Sequence, residues 1–169
     1  GCCAELIALD AARLTPVPDA VPDEQAAGLT ITYGTSLHAL ANRARLQPGE
    51  WLAVLGASGG VGLAAVELGR LMGARVIACA SSEEKLAVAR AHGAEAGVVY
   101  DPATLKDELR RISGGGIDVV YDAVGDAYAE PALRALGWRG RFLVIGFAAG
   151  AIPRLPLNLM LLKELDVQG

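Results

Sequence analysis

From Trp51 onward, short apolar runs alternate with stretches whose apolar residues recur at helical spacing. The runs are Trp51–Leu55, Arg75–Cys79, Gly97–Tyr100, Ile117–Tyr121, Arg141–Ile145 and Leu165–Val167. They lack inside/outside alternation, as expected of strands buried on both faces. Joined by helices through right-handed crossovers, such strands build a parallel sheet. The pattern predicts an α/β fold: a doubly wound, mostly parallel six-stranded sheet with helices on both faces.

The helices between these runs carry their own end signals. Ser81-Ser-Glu-Glu84 reads as a capping box, with Ser81 as the cap and Glu84 reaching back to it. That helix is expected to run to about His92, where Gly93 stops it. Asp101-Pro102 predicts a second helix start, and Leu105, Leu109 and Ile112 supply its apolar stripe. Ahead of the array, Cys3 to Asp10 reads as a lead-in strand and Pro16 to Pro22 as an extended connection. One or two helices follow from about Asp23 to Ala44, interrupted near Thr32-Tyr33-Gly34.

Of the 169 residues, 53% are hydrophobic and only 5% aromatic, a mix that suits strands covered closely by helices. A net charge of -4 gives no general attraction to nucleic acid or anionic lipid, so any anion site must be local. No apolar run reaches a membrane span and no signal-peptide pattern opens the chain, so a cytoplasmic protein without membrane or nucleic-acid partners is expected. Cys2, Cys3 and Cys79 form neither a disulfide framework nor a zinc spacing.

Chemistry enters at Gly56-Ala-Ser-Gly-Gly-Val-Gly62, which follows the first strand directly and opens an apolar helix, Val61 through Leu71. A tight strand-to-helix turn needs residues without a Cβ, to reach unusual φ values and to let the backbone approach a pyrophosphate. Gly56 and Gly59 are the natural candidates. The N–H groups of the helix's first turn, Gly60 to Gly62, then point at the anion, and Gly62 lets helix and strand pack closely. Residues 23–169 are therefore read as a Rossmann dinucleotide-binding domain, with Gly56, Ser58, Gly59, Gly60, Val61 and Gly62 at the pyrophosphate. Residues 1–22 are read as lead-in strand and linker from a catalytic domain.

Many such sites hold an acid at the tip of the second strand for the ribose hydroxyls. Here the tip reads Cys79-Ala-Ser-Ser82, with Lys85 one turn on. Two hydroxyls, a small residue and a cation leave room for a 2′-phosphate and favour NADP(H). Glu83 or Glu84 reaching a ribose would restore preference for NAD.

Together, Thr32-Tyr33-Gly34-Thr35-Ser-Leu-His38, the glycine turn, Ala80-Ser-Ser-Glu-Glu-Lys85, Asp118-Val-Val-Tyr-Asp122 with Val124-Gly125, and Val144-Ile-Gly-Phe147 resemble the cofactor-binding domain of the medium-chain dehydrogenase/reductase superfamily, in its zinc-independent NADPH:quinone oxidoreductase branch. The resemblance implies a two-domain enzyme that passes hydride from NADPH to a quinone or an activated alkene. It implies that Ser81, Ser82, Lys85 and Tyr100 surround the 2′-phosphate, and that Thr35, Val124, Gly146 and Phe147 approach the ribose and nicotinamide.

Zinc-using members take a ligand from the segment where this sequence has Ala26-Ala-Gly-Leu29, so no metal site is expected. His38 and His92 read as packing or surface residues. The substrate half of such enzymes lies outside the chain, so cofactor binding without turnover is expected, and a small-molecule substrate only with that half present. No catalytic residue is assigned. The rival readings are a non-catalytic nucleotide-sensing module and a methyltransferase. The last strand, 165–169, is expected at a sheet edge that can pair with a second copy as a homodimer, or to fray.

Overall fold

The structure is a computed structural model that describes residues 4–169. Its six strands are β1 (Trp51–Leu55), β2 (Arg75–Ala80), β3 (Ala96–Val99), β4 (Ile117–Asp122), β5 (Leu136–Val144) and β6 (Asp166–Gln168). They form one sheet in the order β3-β2-β1-β4-β5-β6. Every pairing is parallel, so the sheet is wholly rather than mostly parallel.

Successive β1 residues point to opposite faces, and each face has its own core. Leu52, Val54, Val76, Ala78, Val119 and Tyr121 pack on the side of α1 (Asp23–Leu37), α2 (Gly60–Leu71) and α3 (Glu83–Ala91). Ala53, Leu55, Ile77, Val120 and Phe142 face α4 (Leu105–Ser113), α5 (Ala129–Ala135) and α6 (Asn158–Lys163). The winding reverses at β1: β2 and β3 add on one side, β4 to β6 on the other. The helices that follow β1 and β4 therefore lie on opposite faces, and a crevice opens at the C-terminal ends of these two strands.

Several expectations are corrected. Among the described residues, 4–10 form no strand; Leu6, Ile7 and Leu9 are exposed and a short 3-10 turn follows at Ala11–Arg13. Cys3 lies outside the described residues. The helix from Asp23 is not broken at Thr32-Tyr33-Gly34 but continues to Leu37, and the irregularity is a π-helical turn at His38–Arg43. The cap of α3 is Ser82, one residue later than expected, with its hydroxyl accepting the Lys85 N–H. Asp101 Oδ1 accepts the Ala103 N–H at 2.8 Å and so closes a turn ahead of α4, whose first residue is Leu105. Strand β5 begins earlier, at Leu136, through a register shift in which Arg139 takes φ +59°.

Candidate functional site

Strand β1 delivers the chain into Gly56, whose φ of +74° would strain any L side chain. The N–H groups of Gly56 and Ala57 both bond the Cys79 carbonyl at 3.1 Å, and the Gly56 carbonyl accepts the Gly59 N–H at 3.0 Å. Of the two expected special glycines only Gly56 has a positive φ. Gly59 is extended and caps α2 without a side chain; a Cβ there would meet nothing nearer than the Gly56 carbonyl oxygen, at 3.4 Å. Its absence keeps the backbone bare. Leu63 is the first residue of this turn to bond back along the helix, to Gly59 at 2.7 Å. The N–H groups of Gly60, Val61 and Gly62 are left pointing out of the helix end.

The turn forms one wall of a cleft of about 460 Å³, to which it contributes Gly56, Ser58, Gly59 and Val61. Ser81 and Lys85 come from the tip of β2, Tyr100 from the end of β3, and Val124 and Tyr128 from beyond β4. Lys85 Nζ donates to Ser81 Oγ at 2.8 Å. Both acids that could have competed for the cleft are engaged elsewhere: Glu83 pairs with Arg90 at 2.5 Å, and the Ser82 hydroxyl holds the Glu84 carboxyl below its ordinary range. Tyr100 and Tyr128 pack with ring centroids 4.5 Å apart. Burial pushes the Tyr100 hydroxyl above the usual phenol range, and the neighbouring Tyr128 adds to this.

Not every anticipated residue meets at this cleft. Gly60 faces Thr32 on its other side, 3.2 Å from where a Cβ would stand, and Gly62 is buried with its Cα packed on the Gly56 carbonyl, so that only its N–H is left to the helix end. Ser82 is spent on capping α3. Thr35 lines a second, smaller cleft of about 200 Å³ with His38, Arg43 and Ile145. Gly146 donates to the Asp122 carbonyl at 3.2 Å, and Phe147 packs against Gly125.

The structure also brings forward residues to which sequence reasoning assigned no role. Asp122 is nearly fully buried, and its Oδ1 accepts the N–H groups of Val124 and Gly125, each at 2.8 Å, which shapes the turn opposite the glycines. Burial raises its carboxyl while these two bonds oppose the rise. Glu67 on α2 bonds both the Tyr33 hydroxyl and His92 Nδ1, the latter at 2.5 Å, and so joins α1, α2 and the end of α3. Partial burial works to raise the Glu67 carboxyl, but Tyr33 and His92 outweigh it and hold it below the usual range. Behind the turn, Ser36 and Tyr121 place two buried hydroxyls against the Val61 carbonyl. Ser36 and Tyr121 both lie in the segments that carry the family resemblance, but nothing local in the sequence joins them.

Among the described residues, no cluster of His, Cys, Asp and Glu is arranged to hold a metal ion, and no helix is long and apolar enough to cross a membrane.

Three kinds of likeness bear on this geometry. The family model described as zinc-binding dehydrogenase matches residues 60–169. The chain is 40% identical over 168 residues to quinone oxidoreductase-like protein 2 of Rattus norvegicus, covering 98% of this chain and 48% of the relative. It thus spans about half the length of the curated relatives it matches. Among solved structures it is similar to the quinone oxidoreductase of Thermus thermophilus, also solved in complex with NADPH, with a TM-score of 0.82 and 35% identity over 94% of this chain and 50% of that one. It is also similar to an NAD-dependent alcohol dehydrogenase, with a TM-score of 0.85 and 34% identity over 95% and 47% of the two chains. Sheet order, glycine turn and sequence agree, and the chain belongs to the medium-chain dehydrogenase/reductase superfamily, as a cofactor-binding domain of the zinc-binding dehydrogenase family.

Proposed function

We propose that this chain is the NADP(H)-binding domain of a zinc-independent oxidoreductase that transfers hydride from NADPH to a quinone or an activated alkene. The observation that carries the choice of coenzyme is the Ser81–Lys85 pair at the rim of the cleft, with Glu83 drawn away to Arg90. A lysine and a hydroxyl suit a dianionic 2′-phosphate, whereas a ribose diol calls for a carboxylate. The NADPH complex of the similar Thermus enzyme supports the same choice.

The residues present fit such a coenzyme. The backbone is bare at Gly59 and takes a left-handed bend at Gly56, and the first-turn N–H groups of α2 supply donors for a diphosphate. Ser58 and Val61 flank those donors, Ser81 and Lys85 bind the 2′-phosphate with Ser82 holding their loop, and Tyr100 with Tyr128 walls the adenosine side. Thr35, Val124, Gly146 and Phe147 mark the way to the nicotinamide end. The nicotinamide supplies the hydride when bound; the chain's own part is to hold and orient. Taken by itself, a polypeptide of these residues binds coenzyme without appreciable turnover on this reading.

Strand β6 has β5 as its sole neighbour among the described residues, and Val167 is exposed there. This edge pairs with that of a second copy to form a homodimer, which light scattering tests. The coenzyme assignment is tested by titration calorimetry. NADPH is expected to bind at least tenfold more tightly than NADH; equal affinities, or tighter binding of NADH, would overturn it.

A further inference from the structure

Ser36 on α1 and Tyr121 on β4 are fully buried, with their hydroxyl oxygens 2.9 Å apart. Ser36 Oγ donates to the Val61 carbonyl oxygen at 2.9 Å, while the Tyr121 hydroxyl lies 3.4 Å from the same oxygen. A serine has one proton to give. With that proton committed to Val61 at the shorter distance, Tyr121 is the donor to Ser36 Oγ, and the order runs from Tyr121 through Ser36 to Val61.

Val61 is the second residue of α2. Its carbonyl already has a partner in the helix, the N–H four residues on, so the fold of α2 asks for no side-chain donor. The same carbonyl shares a peptide plane with the Gly62 N–H. Donation to the oxygen draws electron density toward it and leaves that N–H more positive, and hydrogen bonds in series strengthen one another. Gly62 is one of the three first-turn residues with no helical acceptor for its N–H.

We infer that Tyr121, Ser36 and the Val61–Gly62 peptide form a hydrogen-bond relay that polarises and pins the Gly62 N–H for the coenzyme diphosphate, which makes Ser36 and Tyr121 positioning residues of the phosphate turn. The inference rests on the proposed coenzyme reading. It also explains why two hydroxyls sit in a core of Leu, Val and Ala, where burying them without a bonded partner would be costly.

The test compares Tyr121→Phe, Ser36→Ala and the double variant by amide NMR and by calorimetry with two ligands: NADPH, and adenosine 2′-monophosphate, which has the 2′-phosphate but nothing on the 5′ oxygen to reach the turn. Tyr121→Phe removes one oxygen and keeps the ring, so its core stays filled. The Gly62 amide proton is expected to move upfield in steps, least in Tyr121→Phe and most in the double variant. NADPH should bind about five-fold more weakly to the double variant, the size expected for one lost net hydrogen bond, while the 2′-monophosphate binds as before. An unmoved Gly62 amide with unchanged NADPH affinity would overturn the relay, as would equal weakening of both ligands, which marks general loosening. If the unaltered protein bound neither ligand, the coenzyme reading itself would fall, and the relay with it.

Discussion

Gly62 faces Gly56 so closely that a Cβ on Gly62 would stand 2.1 Å from the Gly56 carbonyl oxygen and 2.8 Å from its carbon. Both obstacles are backbone, so no side chain can swing aside. Gly62→Ala must push α2 away from the turn. Overpacking of this kind costs about 1–3 kcal/mol. The expected outcome is a lower midpoint in denaturant together with at least a tenfold loss of NADPH affinity; a variant as stable and as tightly bound as the parent would refute the close approach.

Lys85 reaches Ser81 from one turn into α3. A charge-assisted bond to a phosphate is stronger than a neutral one, so Lys85→Ala should weaken NADPH about tenfold, in keeping with the net worth of a hydrogen bond to a charged group. NADH affinity should not change. Parallel losses for both coenzymes would place Lys85 outside the 2′-phosphate site.

Asp122 gives two buried N–H groups their acceptor. Asp122→Asn retains an oxygen in that position and removes the desolvated charge, so its stability at neutral pH should stay within about 1 kcal/mol of the parent. Asp122→Ala leaves both donors unsatisfied and should cost about 1–3 kcal/mol. Equal loss in the two variants, read from chemical denaturation, would mean that the charge and not the bonding matters.

The depressed carboxyl of Glu67 makes stability depend on pH. Its folded value lies below its unfolded one, so its contribution is complete above the unfolded value, about 4.3, and fades as pH falls through the folded value. Thermal melts of the parent should therefore lose ground between about pH 5 and pH 3, and Glu67→Gln should lose visibly less over that interval. Identical pH profiles would discount the Tyr33–Glu67–His92 link.

Legibility in the sequence followed the range of the interactions. Strands β1, β2 and β4 and the glycine turn were readable because local apolar runs and turn chemistry alone define them. The start of β5 was not: four residues separate Leu136 from Arg141 where β4 has only Asp118 between their partners, and that bulge is a matter of pairing. Residues 4–10 look strand-like, yet a strand exists only against a neighbour, and the described chain provides none there. Ser81 and Ser82 are equally good caps by type; what separates them is that Ser81 turns to the Lys85 ammonium. Ser36, Val61 and Tyr121 are far apart in sequence, and no local rule could have joined them.

The reversal of strand order at β1 has a consequence for how such a domain changes over generations. The hollow at the ends of β1 and β4 is a product of winding, so it would survive exchange of every side chain along its walls. Discrimination between coenzymes, by contrast, falls on the proposed reading to a few residues after β2. Location and preference are inherited on separate parts of the chain, and a lineage can retune the second without ever having to reinvent the first.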